Sequence, residues 1–354
     1  MKTFEGKRVL VTGGTGSLGR VLVRRLLRGD HGVPSKVIVF SRDEAKQHLM
    51  RLEFLHHHHA ATDEVIFDNF QQRLEFRIGD VRDFASVALA LRNVDIVFNA
   101  AALKQVPNCE YFPFEAVRTN VHGPHNIVTA ISQLRLPIET VIGISTDKAC
   151  KPVNVMGMTK AMQERVFIQA NLDSPQTRYV CARYGNVLAS RGSVVPLFQE
   201  QIRNGGPVTI TTPEMTRFLL SLEEAVDTII VAAEEARAGE TYIPRAPAAL
   251  IADVAKAMIG DRAIATKIVG IRPGEKVHES LISEEEATRT VSRGQWYAIL
   301  PILPELRGHV SGDDSLQGEY TSLNELMSFE QTRRLLEQRG LIVERECYKA
   351  GEVA

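Results

Sequence analysis

The sequence predicts an α/β protein, a doubly wound parallel sheet with a smaller second α/β lobe. Three observations predict it. Short apolar runs alternate with amphipathic stretches through the first half of the chain. A glycine-rich turn follows the first apolar run directly. Beyond about Tyr184 the alternation loosens into short strands mixed with helices. Parallel strands joined by crossover helices require such an alternation.

The apolar runs are Arg8–Val11, Lys36–Phe40, Leu74–Ile78, Asp95–Ala100 and Thr140–Ile144, with a further strand at Tyr179–Arg183. The amphipathic stretches lie near Leu18–Arg28, Asp43–Leu55, Phe84–Leu91 and Pro113–Leu134. In the second half, Val208–Thr211, Glu240–Ile243 and Thr266–Ile271 read as strands. Pro196–Arg203, Leu222–Ala236 and Ile251–Ile259 read as helices. Residues 1–183 are therefore expected to bind a cofactor and carry the catalytic segment, and 184–354 to form mainly the substrate lobe with a C-terminal extension. Glu284–Ala354 carries no readable motif, and its helical stretch Leu323–Gln338 reads as packing or subunit contact.

The 354 residues are enough for two core-bearing lobes. With 44% hydrophobic and 24% charged residues the composition is that of a soluble globular protein. A net charge of −1 gives no long-range pull toward nucleic acid or an anionic membrane. No apolar run has the length of a membrane span. The N-terminus leads into a strand without the apolar stretch of a signal peptide, so the expected location is the cytoplasm. The scattered Cys109, Cys150, Cys181 and Cys347 read as reduced thiols. The tract His56-His57-His58-His59 reads as a solvated insertion, since no second cluster is spaced to complete a metal site. No metal is expected.

The first strand is followed by Thr12-Gly13-Gly14-Thr15-Gly16-Ser17-Leu18-Gly19. Gly13, Gly16 and Gly19 give a G-x-x-G-x-x-G spacing, a variant of the Rossmann fingerprint that resembles the dehydrogenase/reductase pattern. Glycines let the backbone approach a pyrophosphate, and the helix opening near Ser17 aims free N–H groups at it. The second strand ends in Phe40-Ser41-Arg42-Asp43-Glu44-Ala45-Lys46. Ser41, Arg42 and Lys46 suit a 2′-phosphate and favour NADP, while Asp43 keeps NAD open. Asp80 and Val81 after the third strand resemble the family's adenine contact. Ala100, Ala101 and Ala102 after the fourth resemble its path beside the cofactor riboses.

The run Ser145-Thr146-Asp147-Lys148 through Asn154-Val155-Met156-Gly157-Met158-Thr159-Lys160 resembles the active-site segment of an extended short-chain dehydrogenase/reductase. Met156 stands where that family usually has a tyrosine, and a thioether cannot carry a proton. The acid–base work is therefore expected at Asp147 and Lys148. Further segments narrow the likeness: Ala102–Pro107, Thr119–Gly123, Arg183–Val187, Ala189–Val194, Met215–Phe218 and Arg272–Lys276. From about residue 5 to about residue 285 the chain resembles the UDP-N-acetylglucosamine 4,6-dehydratases of polysaccharide biosynthesis, in the soluble subgroup where Met replaces Tyr. The resemblance implies NADP recycled within one turnover, UDP-N-acetylglucosamine as substrate, and a homo-oligomer, a hexamer in relatives. It also implies cofactor contacts from Lys104, Asn120 and Lys160.

Such a reaction removes hydride at sugar C4, loses water across C5–C6 and returns hydride at C6. A C4 ketone acidifies the C5 proton, so a positioned base can remove it. Lys148, with a lowered pKa, is the expected base and Asp147 the acid for the C6 hydroxyl, although the two roles can be exchanged. Thr146 is the expected partner of the C4 oxygen, and Lys160 is expected to bind the nicotinamide ribose. In the substrate lobe, Lys104, Asn186, Val187, Ser190, Arg191, Gly192, Ser193, Arg217, Arg272 and Glu275 are expected to hold the UDP-sugar, with Arg217 and Arg272 clamping the diphosphate. C5 inversion is the expected outcome. A retaining dehydratase, a direct C5–C6 dehydratase, a UDP-N-acetylhexosamine 4-epimerase and a non-catalytic NADP- and UDP-sugar-binding protein are the alternatives.

Overall fold

A computed structural model describes residues 2–56, 72–188, 193–307 and 315–342. The first six strands are β1 (Arg8–Thr12), β2 (Lys36–Ser41), β3 (Leu74–Ile78), β4 (Ile96–Asn99), β5 (Thr140–Thr146) and β6 (Arg178–Tyr184). The later ones are β7 (Val208–Ile210), β8 (Thr216–Phe218), β9 (Thr241–Pro244), β10 (Ala248–Leu250), β11 (Thr266–Ile268), β12 (Ser280–Ile282), β13 (Thr290–Arg293), β14 (Trp296–Ile299) and β15 (Tyr320–Thr321).

One nine-stranded sheet organises the molecule, in the order β13-β14-β9-β6-β5-β4-β1-β2-β3. From β9 through β3 its pairings are parallel, and the β13–β14 hairpin adds antiparallel strands at one end. The strands are apolar because helices cover both faces. β1 and β2 are buried over nearly their whole length. The helix Ser17–Arg28 covers one face with Leu22, Val23, Leu26 and Leu27, then ends at Gly29, whose φ of 80° gives the left-handed turn that stops it. The opposite core layer holds Ile38, Val97, Ile127, Val141 and Phe167.

The order reverses between β1 and β4. In such sheets ligands bind in the crevice beyond the strand C-termini at that reversal. It is flanked here by the glycine turn after β1 and by Ala100–Ala102 after β4.

Three sequence expectations change. The main sheet continues past residue 183 through β9, β13 and β14, so the expected boundary does not coincide with a sheet edge. The expected helix Pro113–Leu134 is divided into Pro113–Val117, a π-helical turn Arg118–His122, and Gly123–Leu134. The expected helix Leu323–Gln338 shortens to Phe329–Gln338, because Ser328 caps it reciprocally with Gln331. Its Leu336 is fully buried in a cluster with Val254 and Met258. Among the described residues, no helix is long and apolar enough to cross a membrane, and no group of three or more His, Cys, Asp or Glu could hold a metal. His57–His59 lie outside the described residues.

Candidate active site

The glycine turn is built for close approach. Gly13 has φ 65°, and a Cβ there would lie 2.8 Å from the Ala101 Cα. A Cβ on Gly19 would lie 2.6 Å from the Gly14 Cα, so the helix can press against the turn only without one. Gly16 caps that helix and supplies no side chain to its first N–H groups, at Ser17, Leu18 and Gly19. They remain available to an anion. Thr12 Oγ1 donates to Asn99 Oδ1 at 2.9 Å and accepts from Ala101 N at 3.1 Å, which ties the ends of β1 and β4 together. These residues fit a dinucleotide.

The pocket for the adenosine end is less uniform than expected. Thr15 Oγ1 donates to Ser41 Oγ at 3.2 Å. Arg42 is 60% exposed, with Nη1 3.9 Å from Asp80, and can turn toward a phosphate. Lys46, expected to add charge, is ion-paired with Asp43. The Asp80 carboxylate is engaged by Arg82 at 2.7 and 2.9 Å, which holds it below its ordinary pKa despite the opposing effect of burial. Val81 packs in the core and receives Asn126 on its carbonyl.

Asn120 departs from expectation. It is fully buried in the π-helical turn, accepts from Leu103 N at 2.8 Å, and donates to Leu103 O at 2.9 Å and Thr159 Oγ1 at 3.0 Å. Those bonds occupy its side chain, so it shapes the strap that carries the exposed Lys104 rather than reaching for a cofactor.

Asp147 and Lys148 follow β5 in a short 3-10 turn. The C-terminal end of a parallel strand is where such sheets place their chemistry. Asp147 is fully buried; its Oδ1 accepts from Thr146 Oγ1 at 2.8 Å and lies 3.0 Å from Lys148 Nζ. Its Oδ2 is buried without a partner. Lys148 Nζ also lies 3.3 Å from Glu279 Oε1. Glu279 is 2% exposed, and its Oε2 is likewise buried without a partner.

The expected lowering of the Lys148 pKa is reversed. Burial pushes it down, but Asp147 and Glu279 outweigh that and hold it above the usual lysine value. Lys160 is the lysine that burial lowers, to about 8. Its Nζ donates to Gln163 Oε1 at 2.7 Å, and Gln163 is anchored on Ile144 O at 3.0 Å. Met156 is 5% exposed and packs with Cys109 and Ala116. It fills a small apolar cluster with its thioether, which has no ionisable proton.

Across the crevice, a cavity of about 200 Å³ is lined by Asn186, Val187, Ser193, Arg217, Arg272 and Glu275. Asn186 Oδ1 and Ser193 Oγ are buried there with no partner among the described residues. Ser190, Arg191 and Gly192 lie outside the described residues. Arg217 is not a free clamp: it donates to the carbonyls of Thr216 at 2.7 Å, Val277 at 3.0 Å and Lys276 at 2.9 Å. Glu275 accepts from the Arg272 backbone N–H at 3.3 Å and closes the turn. That turn also docks on the catalytic segment. Asn154, which caps the helix Val155–Asp173, donates to Gly274 O at 2.8 Å, and Lys276 Nζ donates to Cys150 O at 2.7 Å.

Sequence reasoning missed Glu279. It follows the Arg272–Lys276 motif closely, but nothing in its local pattern places it beside Lys148.

Comparison with known proteins places the chain in a family. Residues 9–301 match the family model described as "Polysaccharide biosynthesis protein". The chain is similar to a protein named UDP-glucose 4-epimerase from Rickettsia typhi, 43% identical over 84% of this chain and 83% of that one. The namesake from Rickettsia canadensis is 41% identical over 94% and 96%. Among solved structures, Pen from Bacillus thuringiensis is 32% identical and covers 96% of this chain and 99% of its own, with a TM-score of 0.84. DesIV, a dTDP-glucose 4,6-dehydratase from Streptomyces venezuelae solved with NAD and TYD bound, is 22% identical over 76% and 86%, with a TM-score of 0.63, and shares the fold. The chain belongs to the polysaccharide biosynthesis protein family and has the extended short-chain dehydrogenase/reductase fold.

Proposed function

We propose that this protein is a nucleotide-sugar-modifying enzyme, a UDP-N-acetylhexosamine 4,6-dehydratase that works through NADP. The observation that carries the reading is the Thr146–Asp147–Lys148 constellation around the buried Asp147, in a chain with a methionine at the tyrosine position. An enzyme that only oxidises and re-reduces C4 needs no acid–base pair for C5 and C6. NADP, held by the glycine turn Gly13–Gly19 with Ser41 and Arg42 toward its 2′-phosphate, would supply the hydride acceptor for C4 and the donor for C6.

The chain's own residues supply the rest. Thr146 Oγ1, which donates to Asp147 Oδ1, accepts from the C4 hydroxyl, whose proton passes to the amine of Lys160, the lysine that burial lowers to about 8. Asp147, with Oδ2 free of partners, then takes the C5 proton as a carboxylate. Lys148, kept charged by its neighbours, donates to the departing C6 hydroxyl. This exchanges the roles expected from sequence, for an electrostatic reason: a lysine between two carboxylates is a poor base. Asn186, Ser193 and Arg272 hold the UDP-sugar in the cavity they line, and Lys160 binds the nicotinamide ribose.

A second reading is favoured by the relatives named UDP-glucose 4-epimerase, at 41–43% identity. It shares the hydride step at C4 and diverges at C5. Proton NMR of UDP-N-acetylglucosamine incubated with the protein in deuterated water separates the two. A new C6 methyl signal with deuterium at C5 is expected, and the ring couplings then report inversion or retention. A galacto isomer without a methyl signal would make the protein an epimerase.

A further inference from the structure

Glu279 is a buried carboxylate against Lys148 that the proposed chemistry leaves unexplained. It lies just before β12, on the substrate-lobe side of the crevice. At 2% exposure it is an expensive place for a charge. Its Oε1 is 3.3 Å from Lys148 Nζ and 3.8 Å from Arg217 Nε. Its backbone N–H donates to Ser322 Oγ at 3.0 Å, and Ser322 Oγ is 2.6 Å from Thr216 Oγ1, the residue next to Arg217. Oε2 has no partner, so the side chain is held by the two cations rather than by a saturated hydrogen-bond set.

We propose that Glu279 is a positioning residue that keeps Lys148 as an ammonium aimed at the sugar and links it to Arg217 in the wall of the nucleotide cavity. The charged groups facing Lys148 are Asp147 from its own turn, Glu279, and Arg217 from β8. Asp147 alone cannot do both jobs. Once it accepts the C5 proton it is neutral, and Lys148 would lose its only counter-charge in the step that needs it as a donor. Glu279 keeps a negative charge beside Lys148 throughout. Its bridge to Arg217 also makes the ammonium's position depend on the wall that receives the nucleotide. The inference rests on the dehydratase reading for its consequence and on the geometry for its existence.

Glu279→Gln tests it in two independent ways. The first needs no turnover: trace acetylation of the whole protein at pH 9, with the Lys148 peptide quantified by mass spectrometry against exposed Lys267. Removing an opposite charge at this distance lowers a lysine pKa by about one pH unit or more. The neutral amine fraction, and so the Lys148 labelling rate, should rise about tenfold or more. The second is kinetic: kcat should fall about tenfold or more, while calorimetry finds UDP affinity within about threefold of the unaltered protein. Should Glu279→Gln not fold, Glu279→Asp withdraws the same charge by one methylene and must still raise Lys148 labelling. Lys148 labelling equal to that of the unaltered protein overturns the inference, whatever the activity. Absence of the C6 methyl signal in the unaltered protein overturns the dehydratase reading and leaves the labelling result standing.

Discussion

Two buried charge clusters flank the same catalytic strand, and they differ in how completely they are satisfied. On β6, Arg183 is 2% exposed and shares its guanidinium between Glu164, at 2.9 and 2.7 Å, and Glu286, at 2.7 and 2.9 Å, with a further bond to Leu281 O at 2.8 Å. Ser145 completes Glu164. Every oxygen in that cluster has a partner. At the end of β5, Asp147 and Glu279 surround Lys148, and each keeps one buried oxygen unpartnered. A saturated network has nothing left for a ligand and fixes the backbone around it. An unsaturated one carries a standing cost that a substrate's polar groups can relieve. On this contrast the β6 cluster reads as scaffold, and the proposed chemistry falls on the β5 cluster.

The sharpest way to break that comparison is Arg183→Met. It strands two buried carboxylates and should cost about 3–5 kcal/mol of stability in denaturant unfolding. The cluster also predicts acid behaviour. Burial alone would raise the Glu286 pKa, but Arg183 outweighs it and holds the group at about 2. A depressed carboxylate contributes stability above its ordinary value of 4.5 and loses it as pH falls toward 2. Arg183→Met should flatten the melting temperature over that window. An unchanged acid profile would mean that the cluster does not hold the fold.

Lys148→Ala should separate function from fold in the opposite way. Turnover to the C6 methyl product should fall by about 10²–10⁴-fold, while Asp147 still exchanges the C5 proton, with NADP still bound and a smaller stability loss than in Arg183→Met. Equal destabilisation in the two variants would erase the distinction between the clusters. The smallest effect concerns the cofactor. Arg42→Ala should weaken NADP by roughly tenfold and NAD by much less, since one charge-assisted bond to a 2′-phosphate is lost. Equal weakening would remove the 2′-phosphate argument, which now rests on Arg42 and Ser41 because Lys46 is engaged by Asp43.

The fold was legible because its signals are local. Alternating apolar and amphipathic runs, the glycine spacing after β1, and a charged pair just past a buried strand all lie within short windows. The same windows put forward Thr146, Asp147 and Lys160 as candidates. They also assigned Asn120 to the cofactor and Arg217 to the diphosphate, because a sequence shows donors without showing what already occupies them. Asn120 is taken up by Leu103 and Thr159, and Arg217 by three carbonyls.

By itself the sequence determined the sheet's class, the glycine turn after its first strand and a methionine at position 156. Those follow from residue type and spacing. Tertiary structure alone decided the ionisation of Lys148 and Lys160. A pKa depends on which charges surround a group and how far it is withdrawn from water, and Glu279, distant from Lys148 in sequence, comes within 3.3 Å of it only in the folded chain.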